Sequence, residues 1–227
     1  MNEKQLAAEY SVDYIEDGMI IGLGTGSTVA FMLNKLSQRV KKGMKITGVS
    51  TSAATTKLAT SLGIKISKLS EIAEIDLTID GADEVDENLD GIKGGGGALL
   101  YEKIIASISN QNIWIVDSTK LVKSLGKFPL PVEVVQFGSN HLLNEFEKKG
   151  YKPAFRNDGN NRFITDNNNY IIDLKMDRIE DPSALDIQLK HYPGVVETGL
   201  FYNIADLVLA GVGDSVNVMD KKKREQT

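Results

Sequence analysis

Cysteine is absent from all 227 residues, so disulfides, thiolate nucleophiles and zinc-thiolate sites are excluded by inventory. Histidine is scarce, and His141 and His191 leave little from which to build a histidine-based catalyst or metal centre. No apolar run approaches the roughly 18 residues that a membrane span requires. The stretch Met1 to Ala8 carries Glu3 and Lys4 among polar residues and lacks the apolar segment of a secretory signal. A cytoplasmic location is the expectation. Positive charge is not in excess either: at a formal net charge of -5 the chain has no general attraction for nucleic acid or an anionic membrane. Any anion it binds must meet a local site. The basic run Lys221-Lys222-Lys223-Arg224 is too short to alter that balance and reads as a solvated end.

What is present is enough for a substantial core, with 41% hydrophobic residues to fill one large domain or two unequal ones. Leu6, Tyr10 and Tyr14 recur at helical spacing and predict an amphipathic helix over Lys4 to Ile15. Strand patterns follow at Met19 to Leu23, Lys45 to Val49, Ile64 to Ile66, Leu77 to Ile79 and Asn112 to Val116. Helical patterns lie between them at Val29 to Leu36, Ala53 to Leu62 and Ala98 to Ser109. Such alternation predicts an α/β fold, a Rossmann-like, mostly parallel sheet with helices on both faces and ligands at the carboxyl ends of its strands.

Prolines at Phe128-Pro129-Leu130-Pro131 punctuate the chain, and the order then becomes strand, helix, two strands, helix, strand. The pieces are Val132 to Val135, Asn140 to Lys149, Tyr151 to Phe155, Phe163 to Ile172, Pro182 to Lys190 and Val195 to Thr198. This order predicts a small α+β domain of the ferredoxin-like, split βαβ kind. Asn157 to Asn169 reads as a polar, Asn-rich hairpin without chemistry of its own. The apolar run Ala205 to Ala210 returns to the first sheet. The expected division is 1–128 with 203–227 as the α/β catalytic domain and 129–202 as the small one.

Two segments carry chemistry. In Gly22-Leu23-Gly24-Thr25-Gly26-Ser27-Thr28, glycines permit close backbone approach, and hydroxyls stand at a helix N-terminus, a combination suited to phosphate. It is neither a Walker motif nor a full dinucleotide fingerprint, whose third glycine would fall on Ser27. A tight turn with capping hydroxyls is the bland alternative. Ser50-Thr51-Ser52 with Thr55 and Thr56 repeats the arrangement, and capping suffices to explain it. The second segment runs from Asp80-Gly81-Ala82-Asp83-Glu84-Val85-Asp86 to Lys93-Gly94-Gly95-Gly96-Gly97, with Glu102 about one turn into the ensuing helix. A calcium loop starting at Asp86 fails because its twelfth position is Gly97. A solvated acidic loop explains neither Asp80 at the end of an apolar strand nor a lysine entering four glycines. Glycine amides beside Lys93 suit an oxyanion.

Taken together, Gly24-Thr25-Gly26-Ser27-Thr28, Asp80-Gly81-Ala82-Asp83-Glu84, Lys93-Gly94-Gly95-Gly96 and Glu102, in this order and spacing, resemble the signature set of the A-type ribose-5-phosphate isomerases. The resemblance continues through Asp117-Ser118-Thr119-Lys120, Leu125-Gly126 and Asp206 to Gly213, and so covers essentially the whole chain. It implies an aldose-ketose isomerase that interconverts ribose 5-phosphate and ribulose 5-phosphate through an enediol, without metal or organic cofactor. It implies Glu102 as proton acceptor and substrate contacts from Thr25 to Thr28, Asp80 to Asp83, Lys93 to Gly96 and Lys120. A homodimer, with tetramers known, is implied as well.

The residue types suit that chemistry. A partly buried glutamate makes a carbon base, and Lys93 with the glycine amides offers charge stabilisation to an enediolate. Asp80 and Asp83, held close, can open the sugar ring and pass a proton between O1 and O2. Thr25 to Thr28 with Lys4 or Lys120 would hold the phosphate and so orient C1 and C2. Three rivals fit less well. Coenzyme A transfer leaves both aspartates and Lys93 without a job, a non-catalytic sugar-phosphate sensor has no need of Glu102 and Asp80, and a dehydrogenase meets the broken dinucleotide fingerprint.

Overall fold

The structure, a computed structural model, describes residues 2–221. Of the basic run, Lys222, Lys223 and Arg224 lie outside the described residues. The first half of the chain runs α1 (Glu3–Ser11), β1 (Ile20–Leu23), α2 (Ser27–Lys41), β2 (Thr47–Ser50), α3 (Ala53–Ser61) and β3 (Leu77–Gly81). A short hairpin, β4 (Glu84–Val85) and β5 (Gly91–Ile92), leads into α4 (Leu99–Ser107) and β6 (Asn112–Asp117). Next come β7 (Leu130–Val134), α5 (Ser139–Lys148), β8 (Pro153–Phe155) and a second hairpin, β9 (Asn157–Asp158) and β10 (Asn161–Arg162). The remainder is β11 (Tyr170–Leu174), α6 (Pro182–Lys190), β12 (Val195–Thr198), β13 (Leu200–Phe201), β14 (Leu207–Val212) and β15 (Ser215–Asp220).

Six strands form the central sheet in the order β15-β14-β6-β3-β1-β2. All neighbours pair in parallel except β15, which runs antiparallel to β14 at the edge. Parallel strands are covered on both faces and therefore read as continuous apolar runs, as in the wholly buried β6. Alternation along β6 sends Ile113 and Ile115 to the core built with Ala7, Ala8, Met32 and Leu36 of α1 and α2. Trp114 and Val116 go to the opposite core, with Leu99 of α4 and Phe201. Helices thus lie on both faces, and the carboxyl ends of β1, β3 and β6 share one edge. β4, β5 and β13 make a small sheet above that edge.

The second sheet is antiparallel, with order β12-β7-β11-β8, which numbers its own strands 4-1-3-2 and is the split βαβ order. Leu130, Val132, Val134, Ile172 and Leu174 from it pack with Leu142 and Phe146 of α5 and with Leu185 and Leu189 of α6.

Four local expectations need correction. α1 buries Ala7, Ala8 and Ser11, whereas Tyr10 is exposed, because the helix lies so close to β14 that only small side chains fit between. Ile64 to Ile66 yields one bridge, Ile66 to Gly48, rather than a strand. Phe163 to Ile172 is not one strand: the turn Thr165 to Asn169, closed by Thr165 N–H donating to Asn169 O at 2.9 Å, delays β11 until Tyr170. The edge strand β15 has no counterpart among the expected elements, since half-exposed Ser215–Asp220 carries no continuous apolar signal.

Candidate active site

The end of β3 delivers Asp80, and the end of β1 opens into the turn Gly24 to Gly26 that starts α2. Asp80 Oδ1 accepts from Thr25 N–H at 3.0 Å and from Gly81 N–H at 2.7 Å, which locks these two strand ends together. Glycine is required at position 24, where a Cβ would stand 2.0 Å from Asp80 Oδ1. Lys93 follows β5, and its amide donates to Gly199 O at 2.9 Å. Its ammonium then reaches Asp80 Oδ2 at 3.0 Å, Glu102 Oε2 at 3.2 Å and Gly81 O at 2.5 Å. All three charged side chains are at most 4% exposed.

This buried triad sets the electrostatics. Burial pushes the Glu102 carboxyl up, and the charges of Asp80 and Asp83 add to that. Lys93 opposes it without prevailing. Burial also pulls the Lys93 ammonium down, but the charges of Asp80 and Glu102, with Asp83, outweigh it and hold Lys93 above its ordinary value. Lys93 stays cationic. Glu102 Oε2 receives no aligned hydrogen bond although Lys93 is within ion-pair distance, so this buried oxygen keeps a lone pair for a proton.

A cavity of about 130 Å³ lies over the triad. Its walls include every residue from Thr25 to Thr28, from Gly81 to Asp83 and from Lys93 to Gly96, together with Glu102, Lys120 and Lys4. Asp80 alone among the expected contacts is not on the wall. It sits beneath, with its oxygens taken by Lys93 and two backbone amides. Asp83 Oδ2 accepts from Gly95 N–H at 2.7 Å, an approach only glycine allows, since a Cβ there would meet Asp83 Oδ1 at 2.5 Å.

The other end of the cavity is built for an anion. The N-terminus of α2 opens there at Gly26, with no acidic residue in its first turn, so its free amides and helix dipole face negative charge. Lys4 and Lys120 supply cations. Lys4 Nζ stands 4.0 Å from Asp117 Oδ2, and Lys120 Nζ lies over the Phe128 ring at 5.9 Å. Thr25 Oγ1 is turned inward, 2.7 Å from Thr51 Oγ1 and 2.8 Å from Ser52 Oγ. Ser52 caps α3 through Thr55 N–H, as capping predicts, but with Thr51 it also ties the two hydroxyl loops together. Sequence reasoning also passes over Arg156, whose contact with the glycine turn joins residues far apart in the chain and has no local signature. The loop at Asp86 folds as a hairpin turn, its carboxylate accepting from Asn88 N–H at 2.9 Å and Asp90 N–H at 3.0 Å. Among the described residues no cluster of three or more acidic, histidine or cysteine side chains is arranged to hold a metal ion.

An α/β fold that gathers a buried glutamate on α4, a lysine after β5 for a developing oxyanion and an anion site at the start of α2 defines an enzyme that moves protons on a small anionic substrate. The family model of ribose 5-phosphate isomerase A (phosphoriboisomerase A) matches residues 47–215. Ribose-5-phosphate isomerase A of Limosilactobacillus reuteri is 53% identical over 218 residues, 95% of this chain and 96% of that protein. The Streptococcus mutans protein of the same name is 48% identical over 221 residues, 97% of this chain and 98% of that one. A solved D-ribose-5-phosphate isomerase in complex with phospho-erythronic acid superposes with a TM-score of 0.93 at 41% identity, over 97% of this chain and 100% of that chain. The Methanocaldococcus jannaschii structure gives 0.91 at 39%, over 96% and 98%. The chain belongs to the ribose 5-phosphate isomerase A family and is an aldose-ketose isomerase.

Proposed function

We propose that the chain interconverts ribose 5-phosphate and ribulose 5-phosphate with Glu102 as the carbon base, and the buried Asp80–Lys93–Glu102 triad is the observation that carries this reading. Glu102 takes the C2 proton of the open-chain aldose, and the electron pair moves through C1 to O1. Lys93 and the glycine-turn amides stabilise the enediolate, the step at which preorganised charge contributes most. Asp83, on the cavity wall, opens the furanose and passes the O2 proton to O1, while Asp80 beneath holds Lys93 in place. Glu102 returns its proton to C1, and the ketose forms with atoms and charge conserved. The phosphate sits at the α2 N-terminus with Ser27, Thr28, Lys120 and Lys4, so that remote binding orients C1 and C2 against Glu102. The phospho-erythronic acid bound by the relative carries a phosphate and a carboxyl group, in keeping with a cavity that offers the α2 N-terminus with Lys4 and Lys120 at one end and the Lys93 ammonium at the other.

No helix among the described residues is long and apolar enough to cross a membrane, and a cytoplasmic homodimer is the setting we infer from the family. We also propose two structural units, 1–128 with 203–227 and 129–202, a division supported by the distinct main cores of the two sheets, with Ile92 and Leu125 of the first unit reaching into the second core and Ile171 of the second packing beside Trp114. Incubation with ribose 5-phosphate and measurement of ribulose 5-phosphate tests the activity. Failure to form the ketose at micromolar enzyme would overturn it.

A further inference from the structure

Arg156 stands outside the cavity, yet it reaches the backbone that forms one wall. It follows β8, and its own amide donates to Ile171 O at 2.9 Å, which fixes it beside β11. Two guanidinium nitrogens bind Asp173 of β11, Nε to Oδ2 at 3.0 Å and Nη2 to Oδ1 at 2.5 Å. The third, Nη1, donates to Gly94 O at 2.7 Å and to Gly95 O at 3.0 Å. A planar fork held at one edge by a carboxylate thus presents its remaining nitrogen to two successive carbonyls, a geometry lysine cannot copy. The pair is largely buried, with side chains 14% and 19% exposed.

Peptide units are trans, so a carbonyl held on one side turns the amide of the same unit to the other. Holding Gly94 O therefore directs Gly95 N–H away from Arg156, and that amide donates to Asp83 Oδ2 at 2.7 Å. Holding Gly95 O likewise directs Gly96 N–H away from Arg156, and Gly96 lines the cavity. Gly97 N–H also donates to Gly94 O at 2.9 Å and closes the turn from within, but glycines have little conformational preference of their own, so Arg156 adds to that bond a restraint on the direction of the amides.

We propose that Arg156 is a positioning residue for the isomerisation: through the Gly94 and Gly95 carbonyls it aims one amide at Asp83 and the next at the oxyanion that develops on the substrate. This rests on the reading that the glycine turn faces the reacting oxygens. The four-stranded second sheet then contributes to catalysis without touching substrate.

The test compares Arg156→Ala and Arg156→Lys with the parent chain, using ribose 5-phosphate as substrate and a phosphorylated hydroxamate as enediolate mimic. Losing one oxyanion donor costs about 100- to 1,000-fold in kcat, and a donor that is misaimed rather than removed should cost roughly 10- to 100-fold. KM should change by less than about threefold, since the interaction is made mainly in the transition state. The mimic should lose affinity in parallel with kcat, and added methylguanidine should restore part of the kcat of Arg156→Ala. Wild-type kcat and mimic affinity in both variants would overturn the proposal, as would equal loss of substrate and mimic affinity without rescue. If Arg156→Ala does not fold, the split between kcat and KM in Arg156→Lys decides. Glu102→Gln run in parallel separates the two readings: if it loses C2 exchange while Arg156 variants behave normally, only the role of Arg156 falls, and if it exchanges normally while the Arg156 variants lose kcat and mimic affinity together, only the role of Glu102 falls.

Discussion

Glu102 must be ionised to accept a proton from carbon, yet the fold places it where ionisation is costly. Because burial raises its pKa from the ordinary 4.5, the base is protonated over a range in which a surface glutamate is already charged. The sign follows directly: kcat/KM should fall as pH drops through this raised value, giving an acid limb well above the usual carboxylate range, read from a pH-rate profile. Lys93 opposes the shift, so Lys93→Ala should move that limb to still higher pH while lowering kcat. A limb that stayed put or moved down would show that the ion pair does not govern the base. Glu102→Gln keeps the size of the side chain and removes the base. Since a positioned base contributes about 100- to 10,000-fold, kcat should fall by that order with a modest change in substrate affinity. Exchange of the C2 hydrogen with deuterated water, followed by NMR, checks the assignment directly: exchange at the parent rate would transfer the role of base to Asp83.

At the scale of elements, the first turn of α2 and the two lysines opposite it make the anion end a property of the backbone as much as of side chains. Unphosphorylated ribose should therefore be a very poor substrate, and comparable kcat/KM for ribose and ribose 5-phosphate would sink the anchor. Lys120→Ala should raise KM more than it lowers kcat, because it removes binding remote from the reacting carbons. The parallel strands and the residues that line the cavity are legible because each is written locally, as an apolar run ending in glycine, hydroxyl or acid. What stays illegible is decided by partners distant in the chain. The buried face of α1 follows how near β14 lies, so small Ala7 and Ala8 outrank the bulkier Leu6 and Tyr10 that dominate the periodicity. The turn at Thr165 is organised around buried Glu133, whose Oε1 accepts from Thr165 Oγ1 at 2.9 Å and from Asn169 Nδ2 at 3.0 Å. Read alone, that segment is only polar and Asn-rich. In the fold, Asp166 beside it accepts from Ala53 N–H at 2.8 Å at the start of α3, so this turn joins the four-stranded second sheet to the hydroxyl loops.

For the whole molecule, the site is a place where stability is given up for reactivity. With neither cysteine nor enough histidine for a metal centre, turnover should persist in EDTA, and complete loss restored by one divalent ion would contradict this. The charges of the triad are buried, and the linkage of Glu102 to folding has a definite sign. A carboxyl whose folded pKa is raised favours the fold most below its unfolded value, and that advantage disappears as pH rises through the folded value. Glu102→Gln carries no such charge, so its Tm relative to the parent should become more favourable as pH rises across that window. Lys93→Met acts in the opposite direction, since it strands the Asp80 and Glu102 carboxylates in a dry site without their cation. Breaking a buried pair by removing one partner costs about 3–5 kcal/mol, and at roughly 2–4 °C per kcal/mol for a chain of this size the expected drop in Tm is of order 10 °C. The loss should be greatest at alkaline pH, where Glu102 must ionise without its cation, and should shrink towards acid as Glu102 takes up a proton. Thermal unfolding of the two variants and the parent, at several pH values and matched protein concentration, measures both trends. A Lys93→Met protein as stable as the parent at high pH would show that the triad is not the electrostatic unit its geometry describes.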